Sequence, residues 1–379
     1  MLPIYVKFEI IFKGAGFVAT RMIAVKDLVP GMAIGEPVLS ATGKVLLGKD
    51  VVIVPRTISL LTMWNVSHVF VSGDDVSPEV AAEPASNTPE QTAASATSMP
   101  EEFNTFFKDY DSLVTASVHS FDFIRNNKQV PMQELKETSF SIYSTVLSTG
   151  PAIMDYLLVS DYNLADNVTR HSVMVAFISS IIGRKLKLSD DQLHILCLAG
   201  LLHDIGKLVI PKETANEPRA HVLHGGKLLQ HVPALPQEVL LTVLQHHEAM
   251  DGGGFPMGVS NERIHFFARI IAVADIFHQH AYSGDEANPF PVLEYMSKEL
   301  FDKLDQGICQ PFIRHVRDCL INSPVLLSDG RTGQVIFFNS DHLDKPIIKT
   351  PSGTIIDLAT TKNITIKRLV NQEYLANAN

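Results

Sequence analysis

Leu201-Leu202-His203-Asp204-Ile205-Gly206-Lys207 sets an imidazole and a carboxylate side by side at the end of an apolar run. Ile195 to Leu202, with small residues interspersed, reads as a core helix, so two polar side chains arriving at its end need partners. A metal ion is one candidate. A capped helix end is the other, with Asp204 paired to Lys207 or Lys212 and His203 hydrogen-bonded to backbone. Lys207 follows His203 by one helical turn and places a cation beside whatever the pair holds.

The composition narrows the class. With 379 residues, 46% of them hydrophobic, the chain can bury one large core and carry small satellite domains. The 41 acidic residues outnumber the 31 basic ones and no Lys/Arg cluster stands out, which argues against DNA as a partner. The longest apolar stretches fall short of the roughly 18 residues of a membrane helix, so no membrane association is expected. Cys197, Cys309 and Cys319 are odd in number and lack zinc-type spacing, which suits a reducing cytoplasm.

The reading along the chain is mainly α. Met1 to Arg21 lacks the features of a secretory signal and reads as an extension from an upstream start codon. Residues 22–72 form a small mixed unit, with a helix over Thr57 to Trp64 and a closing strand over His68 to Val71. Residues 73–100 are Pro, Ala, Ser, Thr and Glu with almost no large apolar side chains, the composition of a disordered linker. Helical periodicity then runs over 101–323, through Phe103 to Asn126, Pro131 to Ser148 and Ala152 to Tyr162 onward. Over 324–372, VLLSDG, GQVIFF, PIIKT, GTIIDL and TIKRLV alternate like strands and predict a small β-barrel-like module on the helices.

Within the helical part, further ligand-type side chains end or begin apolar segments. His171 starts HSVMVAFISSII, His221 and His224 share a face of RAHVLHGGKLL, His246 and His247 end the helix from Val239, and Asp275 closes ARIIAVAD. Singly each is a satisfied core histidine or a cap. Together, burying them without a shared partner would cost several kcal/mol. Mixed imidazole and carboxylate ligation suits iron, manganese, nickel or zinc, and two ions bridged by Asp204 fit the number of groups.

The order H…HD…H…HH…D, with HDIGK, HHExxDGxGFP and ARIxAVAD, resembles the HD-GYP subgroup of the HD metal-dependent phosphohydrolases from about Asn163 to Leu320. LVPGM and LSDGRTGQV are similar to modules flanking such domains. The resemblance implies that His171, His203, Asp204 and Asp275 hold one metal and that Asp204, His221, His246 and His247 hold the second. His221 is favoured over His224 by the family's RxHPxxG pattern. It further implies Lys207, with Asp204, as the catalytic pair, and substrate contacts from Lys207, Gly254, Phe255, Pro256 and Arg269. The reaction implied is hydrolysis of cyclic di-GMP to pGpG, and on to GMP, by a water that two ions, iron or manganese first, activate. Cyclic GMP-AMP is the alternative substrate, and a metal- and nucleotide-binding receptor with weak turnover the alternative function. The N-terminal unit would then serve other signalling proteins, and a homodimer is compatible with the sequence.

Three departures from the family stand out. Phe255 replaces a tyrosine and loses its hydroxyl. After Asp275, IFHQHAYSGDEANPF lacks the family's phosphate-gripping run, so His278 and His280 are expected to be solvated loop residues, with replacement phosphate contacts as the alternative. Asn167 stands where members with a third metal carry glutamate, with Asp166 next to it, which favours two metals.

Overall fold

The computed structural model describes residues 20–29, 32–39, 45–47, 53, 61, 66, 68–72, 101–150, 153–160, 168–214, 216–282 and 288–370. The chain divides into two compact units, Met1–Ala93 and Ala94–Asn379. In the first, β1 (Thr20–Ala24), β2 (Ala33–Ile34) and β5 (His68–Ser72) form an antiparallel sheet, and β3 (Val38–Leu39) pairs with β4 (Val45–Leu47). Val69 and Val71 of β5 point into a core with Val25, Leu28 and Ile34, while His68 and Phe70 face out, the two-residue period of a half-buried strand.

Two expectations for this unit shift. The strand expected to close the sheet lies at its centre, between β1 and β2. The first strand begins before Met22, with Thr20 opposite Ser72 and Arg21 opposite Val71, so these two residues belong to the sheet. Leu61 is helical, as expected for 57–64; the rest of that segment, residues 1–19 and the linker 73–100 lie outside the described residues.

The second unit carries helices α1 (Glu101–Asn127), α2 (Met132–Thr149), α3 (Ile153–Ser160), α4 (Val168–Lys185), α5 (Asp190–Leu202), α6 (Ala220–Leu229), α7 (Gln237–Gln245), α8 (Phe266–Ala281), α9 (Pro289–Lys298) and α10 (Gln306–Leu320). α4 is buried from His171 to Gly183, which makes it the central helix of the bundle. Its neighbour α5 starts at a capping box: the Ser189 hydroxyl accepts from the Gln192 backbone N–H and the Gln192 side chain accepts from the Ser189 N–H. α5 closes on α4 through Gly200, where a β-carbon would sit 2.9 Å from the Ala176 Cα. That contact fixes where α5 ends, and His203 and Asp204 follow at its end.

Beyond α10, β6 (Pro324–Leu327), β7 (Thr332–Phe337), β8 (Ile347–Lys349), β9 (Ile355–Asp357) and β10 (Ile366–Leu369) form an antiparallel sheet in the order β10-β6-β7-β8-β9. All five expected strands are present. The sheet has two edges, β10 and β9, so it is open where a barrel was expected. Val325, Val335, Ile348 and Leu369 belong to the same hydrophobic core as the helices. Polar clamps reinforce the join: Asn288 donates to the Ile366 carbonyl (3.0 Å) and the Glu294 carboxylate accepts from the Leu343 N–H (2.8 Å). Among the described residues, no helix is long and apolar enough to cross a membrane.

Phe338 stacks on Phe290 of α9 with ring centroids 5.9 Å apart and receives the Arg317 guanidinium at 5.2 Å. Phe338→Ala is expected to cost about 3–5 kcal/mol through the cavity it leaves and to lower the melting temperature by several degrees. A melting curve equal to the parent's would contradict a core shared by sheet and helices.

Candidate metal centre

Seven ligand-type side chains reach the centre from five helices. His171 comes from the first turn of α4, His203 and Asp204 from the end of α5, His221 from α6, His246 and His247 from the end of α7, and Asp275 from the middle of α8. They gather into two clusters. His171, His203 and Asp275 offer atoms within 4.8 Å of one another, as do Asp204, His221, His246 and His247.

Asp204 faces both clusters, one oxygen to each. Its Oδ2 lies 3.5 Å from His171 Nε2 and 3.4 Å from His203 Nε2. Its Oδ1 lies 3.4 Å from His221 Nε2 and 3.8 Å from His246 Nε2. Asp275 Oδ1 completes the first cluster, 3.0 Å from His171 Nε2, and accepts a 2.6 Å hydrogen bond from Gln279. His224, half-buried on α6, belongs to neither cluster.

The bland alternative for HDIGK is present as well. Lys207 Nζ sits 2.5 Å from Asp204 Oδ2, and His203 Nδ1 donates to the Gly200 carbonyl at 2.8 Å. These contacts leave much unsatisfied. Asp204 Oδ1 and His246 Nε2 are buried with no hydrogen-bond partner, a cost that proteins rarely bear without a ligand. His246 Nδ1 is tied to the Val243 carbonyl at 2.9 Å, so a neutral ring presents a bare lone pair at Nε2. His171 and His203 bring their Nε2 atoms to 3.1 Å, and His221 and His247 bring theirs to 3.0 Å. Imidazole nitrogens converging in this way can share a proton or a metal ion, and the donor set fits a divalent metal.

The protonation states agree. Burial above all holds the pKa of His171, His246 and His247 below the ordinary imidazole value and pushes that of His221 down to about 4. Neutral imidazole is the ligating form. Burial opposes charge on Asp204 too, but His203, Lys207 and His246 outweigh it and hold the carboxyl well below its usual range. Asp275 is lowered against the same burial by His171 and His203. His203 is the exception: burial disfavours its charge, yet Asp204, Asp275 and the Gly200 carbonyl raise its pKa. A proton there takes the place between Nε2 atoms that a metal ion would fill.

Lys207, His221, His247, Phe255, Asn216, Glu217 and Gln279 line a cleft of about 540 Å3. Phe255 lies against the His247 ring, centroids 4.7 Å apart, and its N–H donates to the His247 carbonyl at 3.1 Å. Gly254 permits this, because a β-carbon there would overlap the backbone of Glu248 and Ala249. Glu248, whose role sequence reading missed, pins the segment by accepting from the Met257 and Val259 N–H groups at 2.7 and 3.1 Å. Arg269, expected at the substrate, is tied to Asp305 at 2.8 Å and lies over the Phe266 ring; it does not line this cleft. Pro256 does not line it either.

The segment after Asp275 corrects an expectation. α8 continues to Ala281, so His278 and His280 are helical. His280 is exposed, but His278 is 3% exposed and its Nδ1 lies 2.8 Å from His171 Nδ1. Asn167 and Asp166 lie outside the described residues.

A helical bundle gathers five imidazoles around two aspartates, and Asp204 stands between the two clusters as a candidate metal centre. Residues 153–306 match the HD domain family. The HD-GYP resemblance read from the motifs agrees with its relatives. The chain is similar to a cyclic di-GMP phosphodiesterase of Pseudomonas aeruginosa, 30% identical over 47% of this chain and 46% of that protein. It is similar to the cyclic di-GMP phosphodiesterase PdeB of Borreliella burgdorferi, 25% identical over 53% of this chain and 59% of that one. A 3'3'-cGAMP-specific phosphodiesterase of Vibrio cholerae is 35% identical over 28% of this chain and 25% of its own length. The chain thus spans about half the length of the first two relatives.

The shifts fix how metal-free protein responds to acid. For the four depressed imidazoles, the unfolded chain takes up protons below its ordinary value of 6.5 while the folded chain resists, for His221 down to about 4. Asp204 and Asp275, also depressed, give stability at neutral pH that is lost as the pH falls below the unfolded carboxylate value. His203, raised, opposes them alone. Calorimetry of metal-free protein should show the melting temperature falling from pH 7.5 to pH 5; a rise would contradict neutral buried imidazoles.

Proposed function

We propose that this chain is a metal-dependent phosphodiesterase that opens cyclic di-GMP to pGpG, and pGpG on to GMP where both bonds are cut. The observation that carries the reading is Asp204, buried with one oxygen toward each imidazole cluster. His171, His203, Asp204 and Asp275 would hold one divalent ion and Asp204, His221, His246 and His247 a second; the mixed donors suit iron, manganese, nickel or zinc, and the resemblance to the HD-GYP subgroup puts iron or manganese first. Bound there, the ions would supply Lewis-acid activation of water and offset charge on the phosphoryl oxygens.

The protein's own groups do the rest. His203 and His246 are held by backbone carbonyls, so their Nε2 atoms are fixed before any ligand arrives. Lys207 is a third exposed and stands at the cleft, where its ammonium can leave Asp204 Oδ2 for a phosphate oxygen. There it would stabilise the charge that grows on the non-bridging oxygens in the transition state. Phe255 offers a ring for a base to stack on, braced by His247. Asn216, Glu217 and Gln279 present amide and carboxylate groups to base edges from the other walls. The buried helices below the clusters keep bulk water on the cleft side.

The similarity to a 3'3'-cGAMP-specific enzyme supports cyclic GMP-AMP as a second substrate, because neither Phe255 nor the polar walls demand two guanines. Metal-loaded protein incubated with cyclic di-GMP, cyclic GMP-AMP and linear pGpG, with products followed by chromatography, tests both. Turnover of cyclic di-GMP is expected. Binding of all three without turnover would favour a receptor. Asp204→Ala should lose metal and turnover together; full metal content at full rate would remove Asp204 from the centre. Lys207→Ala should keep its metal and lose about a hundredfold in rate, and an unchanged rate would leave Lys207 only its ion pair.

A further inference from the structure

The metal-facing histidines solve one positioning problem in two ways, and the difference points to a residue that the cluster itself does not contain. An imidazole that gives a metal its Nε2 lone pair must carry its proton on Nδ1, and a partner for that N–H sets the ring's angle. His203 and His246 each donate Nδ1–H to the carbonyl three residues before them, Gly200 and Val243. Both stand at the C-terminal end of a helix, where carbonyls have lost their intrahelical partners and are free to accept. His171 has no such carbonyl. It sits in the first turn of α4, and the carbonyl three residues back, that of Val168, lies inside the helix. Its Nδ1 instead meets His278 Nδ1 of α8 at 2.8 Å, both rings buried.

We infer that His278 is the positioning residue for His171, accepting the His171 Nδ1–H and so turning its Nε2 lone pair into the first cluster. The inference rests on the metal-centre reading above. Two nitrogens at this separation share one proton; with the His171 Nε2 lone pair given to a metal that proton lies on His171 Nδ1, so His278 Nδ1 accepts and His278 keeps its own proton on Nε2. The His278 ring is itself held, near-parallel to Tyr282 with centroids 5.0 Å apart, and the Tyr282 hydroxyl donates to the Leu157 carbonyl of α3 at 2.9 Å. One turn of α8 thereby presents two side chains to the first cluster: Asp275, facing His171 Nε2 directly, and His278, holding the opposite edge of the same ring. The segment in which this chain departs from the family's phosphate-gripping run supplies the support of a ligand.

Manganese(II) titration of metal-free, full-length protein, followed by calorimetry, tests this. Wild type should bind two equivalents. His278→Phe keeps a ring against Tyr282 but offers no acceptor, and should weaken one of the two sites about ten- to a hundredfold while leaving the other unchanged. His278→Asn, whose Oδ1 can take the place of Nδ1, should recover most of that affinity. Equal binding by wild type and His278→Phe would overturn the inference. So would His278→Asn binding as weakly as His278→Phe, since that pattern marks a packing role. Wild type that binds no manganese or other divalent ion would instead overturn the metal-centre reading, and the inference with it.

Discussion

A carboxylate buried at the meeting point of four helix ends is the constraint on which the rest of this domain depends. Asp204 is 1% exposed, and a charge so placed is tolerable only if its surroundings return the hydration it lost. Lys207 and His203 return part of it on one oxygen. The other oxygen faces His221 and His246 without a hydrogen bond. The helices are arranged to keep these groups close. Gly200 brings α5 onto α4, and Gly206 brings the turn after Asp204 onto α6, where a β-carbon would overlap the His221 carbonyl oxygen. A fold that puts its closest backbone contacts beside its most expensive polar groups is organised around the ligand those groups await.

Much of this was legible in the sequence, and for one physical reason. Each ligand-type residue begins or ends a run of apolar residues, so the change from buried helix to polar side chain is written in the order of letters. His203 after Leu202 and His246 after the helix from Gln237 are the clearest cases. Strands β6 to β10 were legible in the same way, from alternation between turn signals. Closure of that sheet was not: whether β10 pairs with β9 depends on twist and spacing that no local pattern records. The N-terminal sheet shows a related gap, since the central place of β5 follows from partners far away in sequence.

His278 marks the sharper limit. Read as sequence, IFHQH offers no long apolar run and precedes a segment rich in turn-formers, so a loop was the natural expectation. In the structure α8 runs on to Ala281, and its continuation buries His278 against a residue 107 positions earlier. Glu248 was hidden for the same reason. Its carboxylate holds backbone N–H groups 9 and 11 residues away, a role that depends on the path of the glycine-rich loop and not on any motif letter. Arg269 erred in the other direction: its family position suggested substrate, whereas Asp305, supplied by the start of a distant helix, claims the guanidinium.

The departures from the family therefore separate by depth. At the cleft, Phe255 keeps an aromatic wall against His247 and gives up a hydroxyl, which changes what a bound base can contact. Beneath it, the residues after Asp275 face the ligand set. The measurement that bears most directly on this account is the metal content of protein purified without oxygen or chelator. Two divalent ions per chain are the result it predicts. A chain that carries none, and takes up none when iron(II) or manganese(II) is supplied at neutral pH, would contradict it.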